Sequence, residues 1–322
     1  MYRVLVTTCG PKMHYVRQTP GRRAVWEDFE FIFNQSDVSC DAWVVFESLP
    51  AATWATCPPE NVLFISAEPP TLRTYRSDFL RQFHWVLTCH EVTHRGLIAR
   101  QQALPWHVGI QFGAECHVAL DYDQLSAMSY PEKTHVMSVV ISNKATTPGH
   151  RQRLEFVQQL KEHLGEALDV FGNGHHPIAD KWEAVAPYRF HLALENTAHP
   201  DYISEKIADA FLGFAYPFYF GAPNADEYLP QDSFTPIDIF QPQQAIDSIC
   251  SGIEQRLDVA HRQQVAAARK IVLDDLNLFP TLVALLRERM QHGDRQQVCL
   301  YPKNQHVQLA LRSVGQLFRK CG

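Results

Sequence analysis

The chain has 322 residues, 46% of them hydrophobic and 20% charged, with a formal net charge of -6. That length asks for two hydrophobic cores rather than one. The composition excludes a disordered polyelectrolyte, and the net charge excludes a global attraction to nucleic acid or an anionic membrane.

The opening residues read directly as a strand, Val4 to Thr8, with no charged leader and apolar core before them. No run approaches the roughly 20 apolar residues that span a bilayer. The eight cysteines are scattered without CxxC pairs, as expected of free, mostly buried thiols in a reducing compartment. Together these predict a cytoplasmic protein. Asn34 to Ser36 matches a glycosylation sequon but carries no weight without secretion.

In chain order, residues 42–46, 62–66 and 84–88 are short apolar runs between polar connections, the pattern of buried parallel strands. Residues 108–113 read as a further strand. Residues 120–134 are polar and aperiodic, which suggests an interdomain connection. A second series follows: a strand at 135–141, an amphipathic helix at 151–164, and strands at 168–171 and 190–195. A helix at 202–212 and strands at 216–220 and 235–237 continue it. Helices are expected at 243–256, 260–272, 279–290 and 306–319. The pattern predicts an α/β protein with two successive Rossmann-like domains: 1–125, 135–300, and a C-terminal helix at 301–322.

The informative segment is Phe190 to Ile207. A buried strand ends in Glu195 and Asn196, a Pro-containing turn follows, and a helix opens with Ser204, Glu205 and Lys206. In open α/β sheets ligands bind beyond the carboxyl ends of the strands, and the unpaired N–H groups of a helix N-terminus favour phosphate there. Lys206 would add positive charge at that point. Local physics alone allows a plainer account, with Asp201 as an N-cap, Glu205 as a favourable first-turn acid and Lys206 as a solvated charge.

Glu195, Asn196 and Thr197 followed by the run D-Y-I-S-E-K at 201–206 resemble the hallmark of the α1,3-fucosyltransferases, glycosyltransferase family 10. Further blocks occur in that family's order: Ser142 and Asn143, Arg153, Asp169 to Gly172, Ala210 to Gly221, Tyr228 to Phe234, and Ile237 to Phe240. The resemblance covers roughly residues 135–250 and is weak toward the N-terminus. It implies the GT-B fold, two facing Rossmann-like domains with a helical tail. The first would bind an acceptor and the second a GDP-sugar, with no metal and no cofactor beyond that donor.

Residue by residue, the resemblance places Glu195, Asn196, Tyr202, Glu205 and Lys206 at donor-contacting positions. Arg153 falls at a phosphate-binding arginine, with Arg151 as the close rival; an arginine fork suits a diphosphate. The family's acceptor-activating carboxylate maps to Glu68, after the 62–66 strand, with Glu47 as the alternative. The implied reaction is inverting transfer of L-fucose from GDP-fucose to a hydroxyl of a glycan or lipopolysaccharide-type acceptor. Base and leaving group would lie on opposite walls of a cleft. His191 and Leu194 depart from commonly aromatic positions, which leaves open another nucleotide sugar, or a non-catalytic glycan-binding protein of the same fold.

Three lesser features take bland readings. Asp121 and Asp123 look like a DxD pair but lie in the presumed connection, as solvated acids. Cys89, His90 and His94, like His175 and His176, lack the four ligands of a structural zinc site. The 306–319 helix would pack on the protein body; its thin basic face (Arg312, Arg319, Lys320) leaves a peripheral contact at the inner face of a membrane as the minority alternative.

Overall fold

A computed structural model describes residues 1–113 and 115–303. The expected 306–319 helix lies outside the described residues. Two compact units emerge, and both are discontinuous in sequence. Among the described residues, the first comprises 1–12, 24–102 and 282–303; the second comprises 13–23 and 103–281.

The first unit is built on a seven-stranded sheet. Its strand order is Val25–Trp26, Phe29–Phe33, Tyr2–Thr8, Ala42–Phe46, Val62–Ile65, Trp85–Thr88 and Leu97–Ala99. Every pairing is parallel except the first, an antiparallel edge. Ala42–Phe46 and Val62–Ile65 are buried at every residue. Central parallel strands are covered on both faces, so a continuous apolar run there is the physical requirement. Toward the edge, Phe29–Phe33 alternates in burial, which makes a one-faced strand harder to read.

A second sheet in this unit pairs Gln296–Leu300 antiparallel with Thr53–Cys57, which in turn pairs with Val38–Ser39. The expectation of a largely helical chain after residue 242 did not include the strand Gln296–Leu300. Five residues flanked by polar ones carry too little pattern to be read as a strand alone. Their partner lies far upstream.

The second unit contains a five-stranded, all-parallel sheet in the order Leu168–Phe171, His135–Val140, Tyr188–Leu194, Tyr216–Phe220 and Thr235–Pro236. Helix Pro148–Leu164 packs Phe156, Val157 and Leu160 into its core, and Glu205–Leu212 contributes Ile207, Phe211 and Leu212. His191 is buried in the central strand, where its Nδ1 lies 2.8 Å from the Ser138 hydroxyl of the neighbouring strand. This cross-strand contact gives the imidazole a polar partner inside the sheet.

Two expectations fail locally. Among the described residues, 110–111 pair only with 117–118, as a separate antiparallel ribbon. The aperiodic stretch 120–134 contains a helix, Tyr122–Ala127. Asp121 is its N-cap and forms a capping box with Gln124, and its carboxylate also pairs with Arg22 at 2.5 Å. Asp123 accepts the Gly21 N–H at 2.8 Å. These acids therefore fasten residues 20–22 to the helix rather than standing solvated. Among the described residues, no helix is long and apolar enough to cross a membrane, and the cysteines are free thiols.

Candidate nucleotide-sugar site

The site begins at the carboxyl end of Tyr188–Leu194, the middle strand of the second unit. Strand pairing carries one residue further, because the Glu195 N–H donates to the Phe220 carbonyl at 2.7 Å. The Glu195 side chain is thereby held in the interior, fully buried. A bare carboxylate there would be costly unless hydrogen-bonded. The Ser204 N–H and hydroxyl donate to its Oε1 at 2.8 and 2.6 Å, and Lys206 Nζ donates to Oε2 at 3.1 Å.

Ser204 is also the N-cap of Glu205–Leu212. The helix thus opens at Glu205, not at 202, and Asp201 does not cap it. Asp201 sits in the left-handed region, at φ 63°, where its carboxylate accepts from Asn224 Nδ2 at 2.9 Å and the Tyr228 hydroxyl at 2.5 Å. Asp tolerates that conformation better than bulkier residues.

A second, longer helix converges on the same strand end. Thr147 caps Pro148–Leu164 by accepting the His150 N–H, and Pro148 occupies the first turn. A Cβ on Gly149 would lie 2.1 Å from the Asn196 carbonyl oxygen, so only glycine lets this helix approach so closely. One turn on, Arg153 is buried and its Nη1 donates to the Leu194 carbonyl at 3.1 Å. Its Nε finds no partner among the described residues. Arg151 is exposed and turns back to the Ala145 carbonyl at 3.0 Å. The two rival arginines are thus separated by geometry: Arg153 is the one at the strand end.

The charges interlock. Glu205 Oε1 lies 3.2 Å from Lys181 Nζ and 3.5 Å from Lys206 Nζ, and Lys181 also reaches Asp209 at 3.0 Å. Asp209 in turn accepts the His107 and Val108 N–H groups. Burial works against the charge on Lys206, but Glu195 and Glu205 outweigh it and hold its pKa above that of an ordinary lysine. Burial likewise opposes the Glu205 carboxylate, yet Lys181, Lys206 and His107 keep it well below the usual range. Burial lowers the Arg153 pKa, opposed by Glu195. Lys206 is consequently no free cation but a member of a neutralised cluster.

Arg153, Glu195, Asn196, Tyr202, Glu205 and Lys206 all belong to the second unit and gather at this strand end. Lys181, Ser204 and Asp209 were not singled out from the sequence. Ser204 lay inside the motif with no role assigned to it, and Lys181 sits in a connection whose contacts depend on the tertiary fold. Glu68 lies in the first unit, three residues beyond Val62–Ile65, and its carbonyl is 2.7 Å from His90 Nε2. Its rival Glu47 has a positive φ of 67° and an ion pair with Arg73 at 2.9 Å. Among the described residues, no group of three or more His, Cys, Asp or Glu could hold a metal ion.

The two parallel-sheet units have the fold of the GT-B glycosyltransferases. An α-glucosyltransferase solved in complex with UDP and a 13-mer DNA superposes with a TM-score of 0.54 at 10% identity, covering 89% of this chain and 99% of that one. Residues 130–256 match the family model described as glycosyltransferase family 10 (fucosyltransferase) C-term. The human 4-galactosyl-N-acetylglucosaminide 3-alpha-L-fucosyltransferase FUT6 is 35% identical over 114 residues, 34% of this chain and 30% of the relative. The human 3-galactosyl-N-acetylglucosaminide 4-alpha-L-fucosyltransferase FUT3 matches to the same extent. The chain thus matches less than a third of the length of these curated relatives.

Proposed function

We propose that the protein is a glycosyltransferase that takes L-fucose from GDP-fucose and places it on a hydroxyl of a glycan or lipopolysaccharide-type acceptor, with inversion. The observation that carries this reading is the convergence of two helix N-termini and the buried Arg153 on one strand end, inside the segment that matches family 10. Partial positive charge at helix N-termini and a guanidinium fork match a diphosphate. Such groups stabilise the charge that grows on the leaving GDP as its bond to the sugar breaks.

In the same proposal Asn196 and Tyr202 flank the donor, and Glu205 accepts hydrogen bonds from its hydroxyls. Lys206 acts through the cluster that positions Glu195 and Ser204, and approaches phosphate only by rearranging it. The acceptor oxygen attacks the anomeric carbon, the carbon–oxygen bond to the diphosphate breaks, and the acceptor proton passes to the Glu68 carboxylate. The donor site uses protein groups alone, without a metal or cofactor.

Thermal shift with nucleotides and transfer assays with GDP-fucose test the reading. GDP is expected to raise the melting temperature more than UDP or CMP. Glu68→Ala is expected to keep the GDP shift and lose turnover. Equal stabilisation by every nucleotide would refute the GDP assignment, and near-normal transfer by Glu68→Ala would refute the base.

A further inference from the structure

Beside the strand end just described, within the second unit, lies a cavity of about 780 Å³. It opens at the carboxyl ends of Tyr216–Phe220 and Thr235–Pro236 and is walled by Phe220, Phe234 and Phe240 together with Asp226, Asp232 and Asp238. None of its lining side chains among the described residues is basic. We infer that this cavity is a saccharide subsite that holds neutral pyranose rings of the acceptor. The inference rests on the glycosyl-transfer reading above and extends it, because it gives the second unit its own contact with the acceptor.

The chemistry of the walls selects the ligand. Phe240 is 59% exposed yet held edge-on to Phe220, with ring centroids 5.8 Å apart. An exposed aromatic side chain fixed in orientation is a platform for a flat apolar face, which the C–H side of a pyranose supplies. The three aspartates are exposed, and ionised carboxylates are acceptor-only groups, suited to sugar hydroxyls that donate. Asp238 is oriented by accepting the Phe240 N–H at 2.9 Å, which couples the platform to a hydroxyl acceptor. Three carboxylates with no cation among them disfavour phosphate and acidic sugars by like-charge repulsion.

Size and continuity narrow the choice further. The volume falls in the roughly 300–1,000 Å³ range of small-molecule sites and exceeds what a single donor sugar fills. The cavity shares a wall with the nucleotide-sugar site at Gly221. A Cβ there would lie 2.1 Å from the Tyr219 hydroxyl and 2.6 Å from Glu195 Cγ. A saccharide in the cavity would therefore sit next to the residues assigned to the donor.

The test uses the full chain loaded with GDP and a panel of neutral oligosaccharides headed by 4-galactosyl-N-acetylglucosamine, with its sialylated form as the acidic comparison. Ligand-observed NMR titration reads the saccharide, and calorimetry reads GDP. Phe240→Ala is expected to weaken saccharide binding about tenfold, the equivalent of about 1.4 kcal/mol, while GDP affinity shifts less than twofold. Asp232→Asn, an exposed change that keeps the side-chain shape, is expected to weaken the neutral saccharide and relax discrimination against the sialylated one.

Unchanged saccharide affinity in both variants, or no binding by any panel member to the wild type, overturns the inference. Loss of GDP affinity in Phe240→Ala equal to the saccharide loss would assign the cavity to the nucleotide base and overturn it too. Failure of the wild type to bind GDP would instead strike the glycosyl-transfer reading.

Discussion

The pairing of Glu195 with Lys206 can be dissected by a double-mutant cycle. At 3.1 Å and an effective dielectric of about 20, two unit charges attract by about 5 kcal/mol before desolvation is counted. Glu195→Gln keeps the shape but removes the charge opposite Lys206, 18% exposed, and leaves the more distant Glu205 carboxylate as its counter-charge. Lys206→Met leaves Glu195 buried on the two Ser204 donors. Removing one partner of a buried pair costs about 3–5 kcal/mol. The neighbours that remain put each single variant at the low end, about 3 kcal/mol. For a unit of this size that lowers the melting temperature by roughly 6–12 °C.

The double variant removes both charges and is expected to lie within about 1 kcal/mol of wild type, because replacing a whole buried pair is often near neutral. The coupling is then several kcal/mol, read by urea unfolding followed by circular dichroism. Single effects under about 1 kcal/mol, or effects that add to within about 0.5 kcal/mol, would refute the picture of a neutralised cluster. They would return Lys206 to the role of a free phosphate ligand.

Three further outcomes follow from the same geometry. Burial drives the pKa of His14 to about 2, of His107 to about 4 and of His191 to about 3, from 6.5. Because the unfolded chain binds these protons first, stability is full above pH 6.5 and falls below it. Each group contributes up to about 1.4 kcal/mol per pH unit down to its folded value, and His191→Phe should flatten that acid limb in pH-dependent melts. Arg153→Lys should weaken GDP binding about tenfold or more, whereas Arg151→Ala should change it less than twofold, both by calorimetry. Gly149→Ala should destabilise by about 1–3 kcal/mol and weaken GDP binding as well, because the new methyl meets the Asn196 backbone; unchanged melting would show that the helix can retreat freely.

The parallel strands at 42–46 and 216–220 were legible because they are buried on both faces, and a short, continuous apolar run between polar connections suits little besides a covered central strand. The short strands at 53–57 and 296–300 were not, since neither makes sense without the other. At the site, Glu195 and Lys206 were legible as a motif, but their mutual ion pair was not. A sequence shows two opposite charges eleven positions apart, and only the turn through Asp201 brings them together. The same limit hid Lys181, and it made Asp121 look solvated when its ion-pair partner, Arg22, lies 99 residues upstream.

The return of residues 296–300 to pair with 53–57 has a consequence for how the molecule is made. During synthesis the first unit has its seven-stranded sheet early, but one strand edge stays open until nearly two hundred further residues have emerged. An unpaired edge is a template for unwanted pairing. A truncation placed just after residue 281, which looks harmless from the candidate nucleotide-sugar site, would leave that edge permanently bare and favour self-association of the shortened chain.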